Sequence, residues 1–221
     1  MGGRGSSMSS RREQAKSNLA AMRHNNIGSM DAPAISSKGS LKMSRLENNI
    51  SGHQYEIGAV YGKKGKSIVV TTDKAANSVS FSHVQTGKMK NGTLTHNHPS
   101  HSGLSSQDVK MATANNLRQI RAVGRNPKTG KNVHHIITRN GSTWKTSSPR
   151  SIDRAYSKAY MKEYVRTGSH HKAVTEANRA AAKTVGGKYR TREIKDTWSS
   201  KAQKKKSKKV WKSSRQGVLF K

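Results

Sequence analysis

The sequence contains no cysteine among its 221 residues. This absence excludes a disulfide scaffold, and it also excludes the thiolate ligands from which structural zinc sites are usually built. It is compatible with any cellular compartment. A transition metal, if one binds, must be held mainly by histidine and carboxylate side chains.

Acidic and apolar residues are both scarce. The chain has 11 acidic residues against 43 Lys and Arg, which gives a formal net charge of +32, and only 31% of its residues are hydrophobic. A small core that carries so much charge of one sign repels itself unless a polyanion is close. The composition therefore predicts nucleic acid as a partner, with an acidic membrane surface as the weaker alternative.

Long apolar runs are also missing. No stretch approaches the roughly 20 apolar residues that cross a bilayer, and the first residues lack the apolar core of a secretory signal. The sequence thus predicts a soluble protein without a membrane partner, made in a cytosol and not secreted by a signal peptide.

The stretch 95–108 combines side chains that are suited to metal chemistry. His96 and His98 lie two residues apart in a strand-like segment that ends at Pro99, and alternation along a strand points both imidazoles to one face. A Ser/Gly-rich loop follows, and a predicted helix returns the carboxylate of Asp108 ten residues beyond His98. Two imidazoles, one carboxylate and a water molecule are typical of a catalytic zinc site.

Each of these features has a simpler interpretation. Ten histidines are spread through the chain, so an isolated His-x-His is weak evidence for a ligand pair. Ser105 and Asp108 also fit a helix N-terminus, with a serine N-cap and an acid at the third helical position. The cap and the ligand interpretations are compatible, and together the features favour a metal site.

A hydrolytic zinc site needs a base, and few residues could supply one. Between residues 51 and 150 the acids are Glu56, Asp73 and Asp108. Asp73 lies in a turn-like stretch, whereas Glu56 lies in the apolar run 53–62, where a carboxylate has no packing role. Glu56 is therefore the predicted base. The alternative is an edge-strand glutamate paired with a lysine.

These residues resemble the signature of the JAMM (MPN+) metalloproteases and their RadC-like relatives. That signature is an upstream Glu, then His-x-His-Pro, then Ser-x-x-Asp; the chain supplies Glu56, His96-Asn97-His98-Pro99 and Ser105-Ser106-Gln107-Asp108. The His-Asn-His-Pro-Ser run is most similar to the RadC-like and bacteriophage branches. The resemblance covers roughly residues 46–147, and the spacing from His98 to Asp108 is one residue shorter than in many members.

The resemblance implies a zinc-dependent hydrolase that acts on a peptide or isopeptide bond. His96, His98 and Asp108 would hold Zn²⁺, Glu56 would activate the bound water, and Ser105 would help to stabilise the oxyanion. A phage-encoded protein is also implied, located in the cytoplasm of a bacterial host or in a virion. Its partners would be phage structural proteins or a protein substrate.

Hydrophobic periodicity predicts an α+β fold, which the resemblance specifies as a JAMM-like curled mixed β-sheet with flanking helices. We expect a basic flexible arm over residues 1–45, in which the one periodic stretch is a short helix near 13–22. A zinc hydrolase domain over 46–147 and a basic helical region with a Lys-rich tail over 148–221 are expected to follow. The predicted strands are 55–61, 67–72, 78–82, 92–98, 120–124, 132–139 and one at Trp144. The predicted helices are 105–116, 152–165, 170–185 and 189–201.

His134 and His135 are adjacent in a predicted strand and therefore point to opposite faces. We expect one to face the core and the other to face solvent, and we place neither in the metal site.

The C-terminal region carries the densest positive charge. Residues 151–221 hold twenty Lys and Arg against five acids. This density predicts salt-sensitive, sequence-independent contacts with phosphates. The expected contact residues are Lys204, Lys205, Lys206, Lys208, Lys209, Lys212 and Arg215. A second function class follows, a DNA-binding structural protein of a virion in which the metal site is vestigial or supports the fold.

Overall fold

The computed structural model describes residues 8–23, 42–81, 86–100, 102–126 and 129–194. Its helices in these ranges are α1 (Met8–Arg23), α2 (Met43–Ile50), α3 (Ser106–Ala114), α4 (Pro149–Thr167) and α5 (His170–Thr184). Its strands are β1 (Gly58–Tyr61), β2 (Ser67–Thr71), β3 (Thr93–Asn97), β4 (Gln119–Arg125), β5 (Asn132–Arg139) and β6 (Gly187–Ile194). The predicted α+β class is confirmed.

The strands form one mixed sheet in the order β2-β1-β3-β4-β5-β6. Neighbouring strands are antiparallel except β3 and β4, which are parallel. Parallel neighbours need a crossover connection, and α3 provides it between these two strands. The chain therefore leaves the end of β3, passes through a loop and enters α3 directly above the sheet.

Alternating side chains give the sheet two apolar faces. On one face, Leu94 of β3 belongs to a core cluster with residues of α1, α3, α4 and α5. On the other face, Ala59 of β1 and Val70 of β2 pack against Leu46 and Ile50 of α2. The sheet is thus covered on both faces over its central strands. No helix in the described ranges is both long and apolar enough to cross a membrane.

Within the predicted N-terminal arm, residues 8–23 are helical, over a longer range than the short helix expected near 13–22. They form α1, in which Ala15 and Leu19 are buried in the main core cluster. Asn18 also donates a side-chain hydrogen bond to the hydroxyl of Tyr160 in α4 at 3.0 Å. Among the residues of α1 whose burial is described, the buried apolar ones are Ala15 and Leu19, one helical turn apart, so the helical pattern in the sequence is faint.

The C-terminal region also differs from the prediction. Residues 187–194 form β6, an edge strand paired with β5, where a helix over 189–201 was expected. Gly186 adopts a left-handed φ of 69° after α5 and redirects the chain into the sheet. The helices α4 and α5 share the main core with β3 and β4, and β6 belongs to the same sheet as the earlier strands. The residues on either side of the expected domain boundary at 147 are therefore parts of one core and one sheet.

Two of the predicted strands are not formed. Residues 78–81 are irregular although Val79 and Phe81 are buried; residue 82 lies outside the described ranges. Trp144 lies in the loop before α4, and its indole N–H donates to the carbonyl of Leu117 at 2.8 Å. Both segments bury apolar side chains without strand pairing, which explains why their composition is strand-like.

The expectation that one of His134 and His135 faces solvent is wrong, because each is only 1% exposed. β5 has a strand on each side and layers on both faces. His134 Nδ1 lies 3.3 Å from a carboxylate oxygen of Glu47 in α2. On the opposite face, His135 Nδ1 lies 2.8 Å from the hydroxyl of Tyr189.

Candidate metal centre

β3 brings the two histidines of the His-x-His pair together. His96 and His98 are 3% and 4% exposed, and their Nε2 atoms are 2.8 Å apart. The backbone N–H of His98 donates to the carbonyl of Val123 in β4 at 2.9 Å, so strand-like pairing continues one residue beyond β3. This pairing keeps the alternation of side chains, and both imidazoles consequently face the helical layer that contains α3.

The N-terminus of α3 presents a carboxylate to this pair. Oδ1 of Asp108 lies 3.1 Å from Nε2 of His96, and Oδ2 lies 3.7 Å from Nε2 of His98. The same carboxylate closes a capping box, since Oδ2 accepts hydrogen bonds from the backbone N–H and the hydroxyl of Ser105 at 2.7 and 2.8 Å. The cap and the approach to the imidazoles therefore coexist in one side chain.

The electrostatics of Asp108 favour its ionised form. Burial alone would raise the pKa of this carboxyl, but the charge of His96 and the hydrogen bonds from His96 and Ser105 outweigh burial. The pKa of Asp108 is thereby held well below its ordinary value. An anionic oxygen next to two imidazoles is a suitable ligand for a divalent cation.

Glu56 faces the same point from the segment that precedes β1. Its Oε1 atom lies 3.8 Å from Nε2 of His98, and the residue is 6% exposed. Burial raises the pKa of Glu56 to about 7; His98 opposes this shift, while the negative charges of Asp108 and Asp73 add to it. A carboxyl group with a pKa near 7 can both accept and return a proton at neutral pH.

Asn97 fixes the segment that carries Glu56. The side-chain oxygen of Asn97 accepts a hydrogen bond from the N–H of Ile57 at 2.7 Å, and its side-chain N–H donates to the carbonyl of Tyr55 at 2.9 Å. The amide of Asn97 therefore bonds to the residues on either side of Glu56. The sequence does not predict this role, because the partners of Asn97 lie about forty positions away. The one local signal is an amide side chain between two histidines in a strand that is expected to be buried.

The loop between Pro99 and α3 orients His98. Nδ1 of His98 lies 3.0 Å from the hydroxyl of Ser102, a contact that leaves Nε2 directed towards Asp108 and Glu56. Hydrogen bonds of this kind set the orientation and tautomer of metal-binding histidines. Nδ1 of His96, in contrast, is buried without a hydrogen-bond partner among the described residues.

The C-terminal helices hold this loop in place. Tyr156 of α4 donates its hydroxyl hydrogen to the carbonyl of Leu104 at 3.0 Å. Gly103 lies so close to α5 and β5 that a Cβ atom there would come within 2.7 Å of both His135 Nδ1 and Val174 Cγ1. Residues beyond 147 thus contribute directly to the geometry of the site.

The site lines a small cavity. The predicted site residues line it: Glu56, His96, His98, Ser105 and Asp108. Its other lining residues are Asn77, Ser78, Val79, Phe81, Leu94, Gln107 and Met111. The lining therefore combines polar groups with apolar side chains, around a space of about the size of one water molecule.

The residues present fit a divalent metal ion. Glu56, His96 and His98 form a buried group whose potential ligand atoms all lie within 4.8 Å of one another. The Nε2 atoms of the two imidazoles lie 2.8 Å apart, so one cation could accept a lone pair from each of them. Nitrogen and carboxylate donors without thiolates suit zinc and the neighbouring transition metals. Asp108 contacts both imidazoles and provides a further carboxylate.

No protein-family model, curated protein or solved structure matches this chain. The expected nucleic-acid contacts of the tail, Lys204 to Arg215, lie outside the described residues. Functional interpretation therefore depends on the site itself and on the charge of the folded part.

Proposed function

We propose that the chain is a zinc-dependent hydrolase of the JAMM/MPN+ type that cleaves a peptide or isopeptide bond. One observation supports this above all: a buried glutamate with a pKa near 7 lies 3.8 Å from one of two converging imidazoles. A second carboxylate, that of Asp108, lies near both imidazoles, at 3.1 Å from His96 Nε2 and 3.7 Å from His98 Nε2. The arrangement combines a metal-binding set with a separate proton carrier.

His96, His98 and Asp108 would hold the metal ion in this proposal. A bound zinc ion supplies a Lewis acid that polarises a carbonyl oxygen and acidifies water. Glu56 takes a proton from the attacking water and returns it to the leaving amine, a task for which its raised pKa is suitable. The hydrogen bonds between the Asn97 side chain and the backbone of Tyr55 and Ile57 keep the Glu56 carboxyl directed into the cavity during both proton transfers.

Ser105 is the proposed donor to the oxyanion. Its hydroxyl donates to Asp108 in the structure, so it must rotate towards the substrate when negative charge develops there. The backbone N–H of Ser105 keeps its own bond to Asp108 during this rotation, and the carboxylate remains anchored. If only the hydroxyl hydrogen changes partner, Oγ of Ser105 still accepts from the backbone N–H of Asp108 and the cap is retained.

The group formed by Glu56, His96 and His98 suggests a second assignment, in which Glu56 is a metal ligand and not the base. If Glu56 is itself a metal ligand, the protein binds a metal without a separate base. Substitution of Glu56 by glutamine separates the two assignments. If Glu56 is the base, the Glu56→Gln variant keeps its metal but does not hydrolyse the substrate. If Glu56 is a ligand, the variant loses its metal.

The test combines metal content with turnover. Zinc-loaded wild type and Glu56→Gln are incubated with two fluorogenic probes, an unstructured peptide and a glycine joined to the lysine ε-amine through an isopeptide bond. We expect wild type to cleave one of them and the variant to keep its zinc but lose at least a hundredfold in rate. Equal rates would remove Glu56 from the mechanism, and a zinc-loaded wild type that cleaves neither probe would contradict the proposal.

The charge of the chain supports a second, compatible role. With a net charge of +32, a protein associated with nucleic acid is expected, and a structural protein packaged with DNA in a virion is the alternative function. Both roles hold together if a hydrolase is kept near nucleic acid, or inside a phage particle, by its basic segments. Phage structural proteins would then be its neighbours or its substrates.

A further inference from the structure

We propose that the outward face of α4 binds the phosphate backbone of a nucleic acid through Arg150, Arg154 and Lys158. This inference extends the nucleic-acid association proposed above. It is independent of the hydrolase, because none of the three residues lines the cavity at the metal centre. It also concerns the folded part of the chain and not the Lys-rich tail.

The three cations form an outward row that turns by about 40° around the helix axis from one cation to the next. They are spaced four residues apart and all three are exposed. The buried row of the same helix, Ile152, Tyr156 and Tyr160, is offset from them by two residues, about 200° around the helix axis. The core contacts of α4 therefore hold the helix rigidly with its positive row directed away from the protein.

In the described part of the chain, no acid forms an ion pair with this row. α4 contains two acids, and both are engaged elsewhere: Asp153 pairs with Lys110 of α3 at 3.1 Å, and Glu163 pairs with Arg166 at 2.6 Å. Exposed helix faces usually mix charges of both signs, whereas this one carries a single sign over its first turns.

The surface between the cations is formed by small side chains. Ser148, Ser151 and Ala155 are small, and together with the cations they line a shallow groove on α4. Successive cations are spaced about 6 Å along the helix. A phosphodiester backbone can approach the helix closely there and meet one cation after another, without any group placed to read base edges.

The same surface is poorly suited to an anionic membrane. Helices that lie on a bilayer insert a face of large apolar side chains, and the apolar face of α4 is in the core. In the described ranges, the exposed large hydrophobic residues are Met8 and Ile68, neither of which is on α4. Nucleic acid is therefore the polyanion that this surface favours.

The salt dependence of DNA binding tests the inference in the full chain. Binding of a fluorescent 30-base-pair duplex of arbitrary sequence is measured by anisotropy over a series of salt concentrations. Each phosphate contact contributes a slope of about −0.9 to log K against log salt. We expect the triple variant Arg150→Ser, Arg154→Ser, Lys158→Ser to flatten the slope by about 2.7. The charge-conserving pair Arg150→Lys, Arg154→Lys should keep it.

A matched control removes three other exposed cations, Lys63, Lys64 and Lys66 in the turn between β1 and β2. This variant should keep the wild-type slope. If the α4 variant also keeps the wild-type salt slope, or if its slope flattens no more than that of the control, the α4 surface is rejected as the binding site. The nucleic-acid association itself would still stand. If wild type binds no duplex at 50 mM salt, both are rejected. If the triple α4 variant binds anionic vesicles less tightly than wild type but binds DNA equally well, the α4 surface binds membranes and not nucleic acid.

Discussion

The side-chain oxygen of Asn97 accepts a hydrogen bond from the backbone N–H of Ile57 at 2.7 Å. Asn97 lies between the two histidines of the metal centre, and Ile57 follows the predicted base, Glu56. One buried amide therefore couples the position of the base to the strand that carries the imidazoles. Asn97 acts together with two hydrogen bonds of the Glu56 backbone, whose N–H donates to the carbonyl of Ala75 and whose carbonyl accepts from the hydroxyl of Thr72.

Replacement of Asn97 by alanine should displace Glu56 without removing a metal ligand. We expect kcat on the cleaved probe to fall by about a hundredfold, since small displacements of a catalytic group have effects of that size. KM and zinc content should stay near the wild-type values. Steady-state kinetics and metal analysis of the same preparation measure all three.

Asn132→Ala is the control for general loss of a buried asparagine. Asn132 is also on the sheet, is 1% exposed, and donates to the side chain of Asn48 at 2.9 Å. It does not line the metal-site cavity. If Asn97→Ala and Asn132→Ala lower kcat equally, the positioning role of Asn97 is wrong.

Glu47 anchors α2 to the face of the sheet opposite the metal centre. Its carboxylate accepts hydrogen bonds from Arg121 at 2.9 Å and from the hydroxyl of Thr95 at 2.8 Å. Burial alone would raise the pKa of Glu47, but the hydrogen bonds from His134 and Arg121 outweigh it and lower the pKa. The carboxylate is therefore ionised in the folded protein at neutral pH.

Glu47→Gln should lower the free energy of unfolding by about 3 kcal/mol, because it leaves the guanidinium of Arg121 buried without a counter-charge. Urea unfolding at pH 7 measures this loss. Glu193→Gln is the matched surface variant: its partner is Lys131 at 3.7 Å, and both side chains are more than a third exposed. That change should cost less than about 1 kcal/mol. Similar losses for the two variants would mean that the Glu47 cluster does not stabilise the fold.

His135 should make the fold sensitive to mild acid. Burial, with the nearby charges of His171, His98 and His134, lowers the pKa of His135 to about 3. The unfolded chain therefore binds a proton at this position below pH 6.5 that the folded chain does not bind, and stability falls as the pH decreases from 6.5 towards 3.

The contribution of His135 can be isolated by comparison with His135→Gln. Between pH 7 and pH 5, the free energy of unfolding of wild type should fall by about 2 kcal/mol more than that of the variant. Denaturant titrations at the two pH values give this difference. The same pH dependence in both proteins would show that His135 titrates normally in the folded state.

The parts of the site that lie close in sequence could be predicted, and those that depend on distant partners could not. His96, His98, Ser105 and Asp108 follow from strand alternation and from a helix start within thirteen residues. Glu56 lies far from them but could be found by elimination, because so few acids compete. Asn97 was missed, since its role depends on the segment before β1.

The fold shows the same division. The strands of the central sheet and the helices α3 to α5 have apolar patterns that indicate their type. The prediction of a helix over 189–201 is wrong for residues 189–194, which pair with β5 as part of β6. The exposed cations Lys188, Arg190 and Arg192 recur at every second residue, a period that is typical of a strand. The burial of both His134 and His135 likewise depends on a strand and a helix that come from opposite ends of the chain.

Metal content of the purified protein tests the central claim most directly. Wild type, His96→Ala with His98→Ala, and the control His170→Ala with His171→Ala are dialysed against the same zinc buffer and analysed by mass spectrometry of the metal. We expect one zinc ion per chain in wild type and in the control, and none above background in the His96/His98 variant. Equal zinc in all three proteins, or none in wild type, would contradict a metal centre at the end of β3.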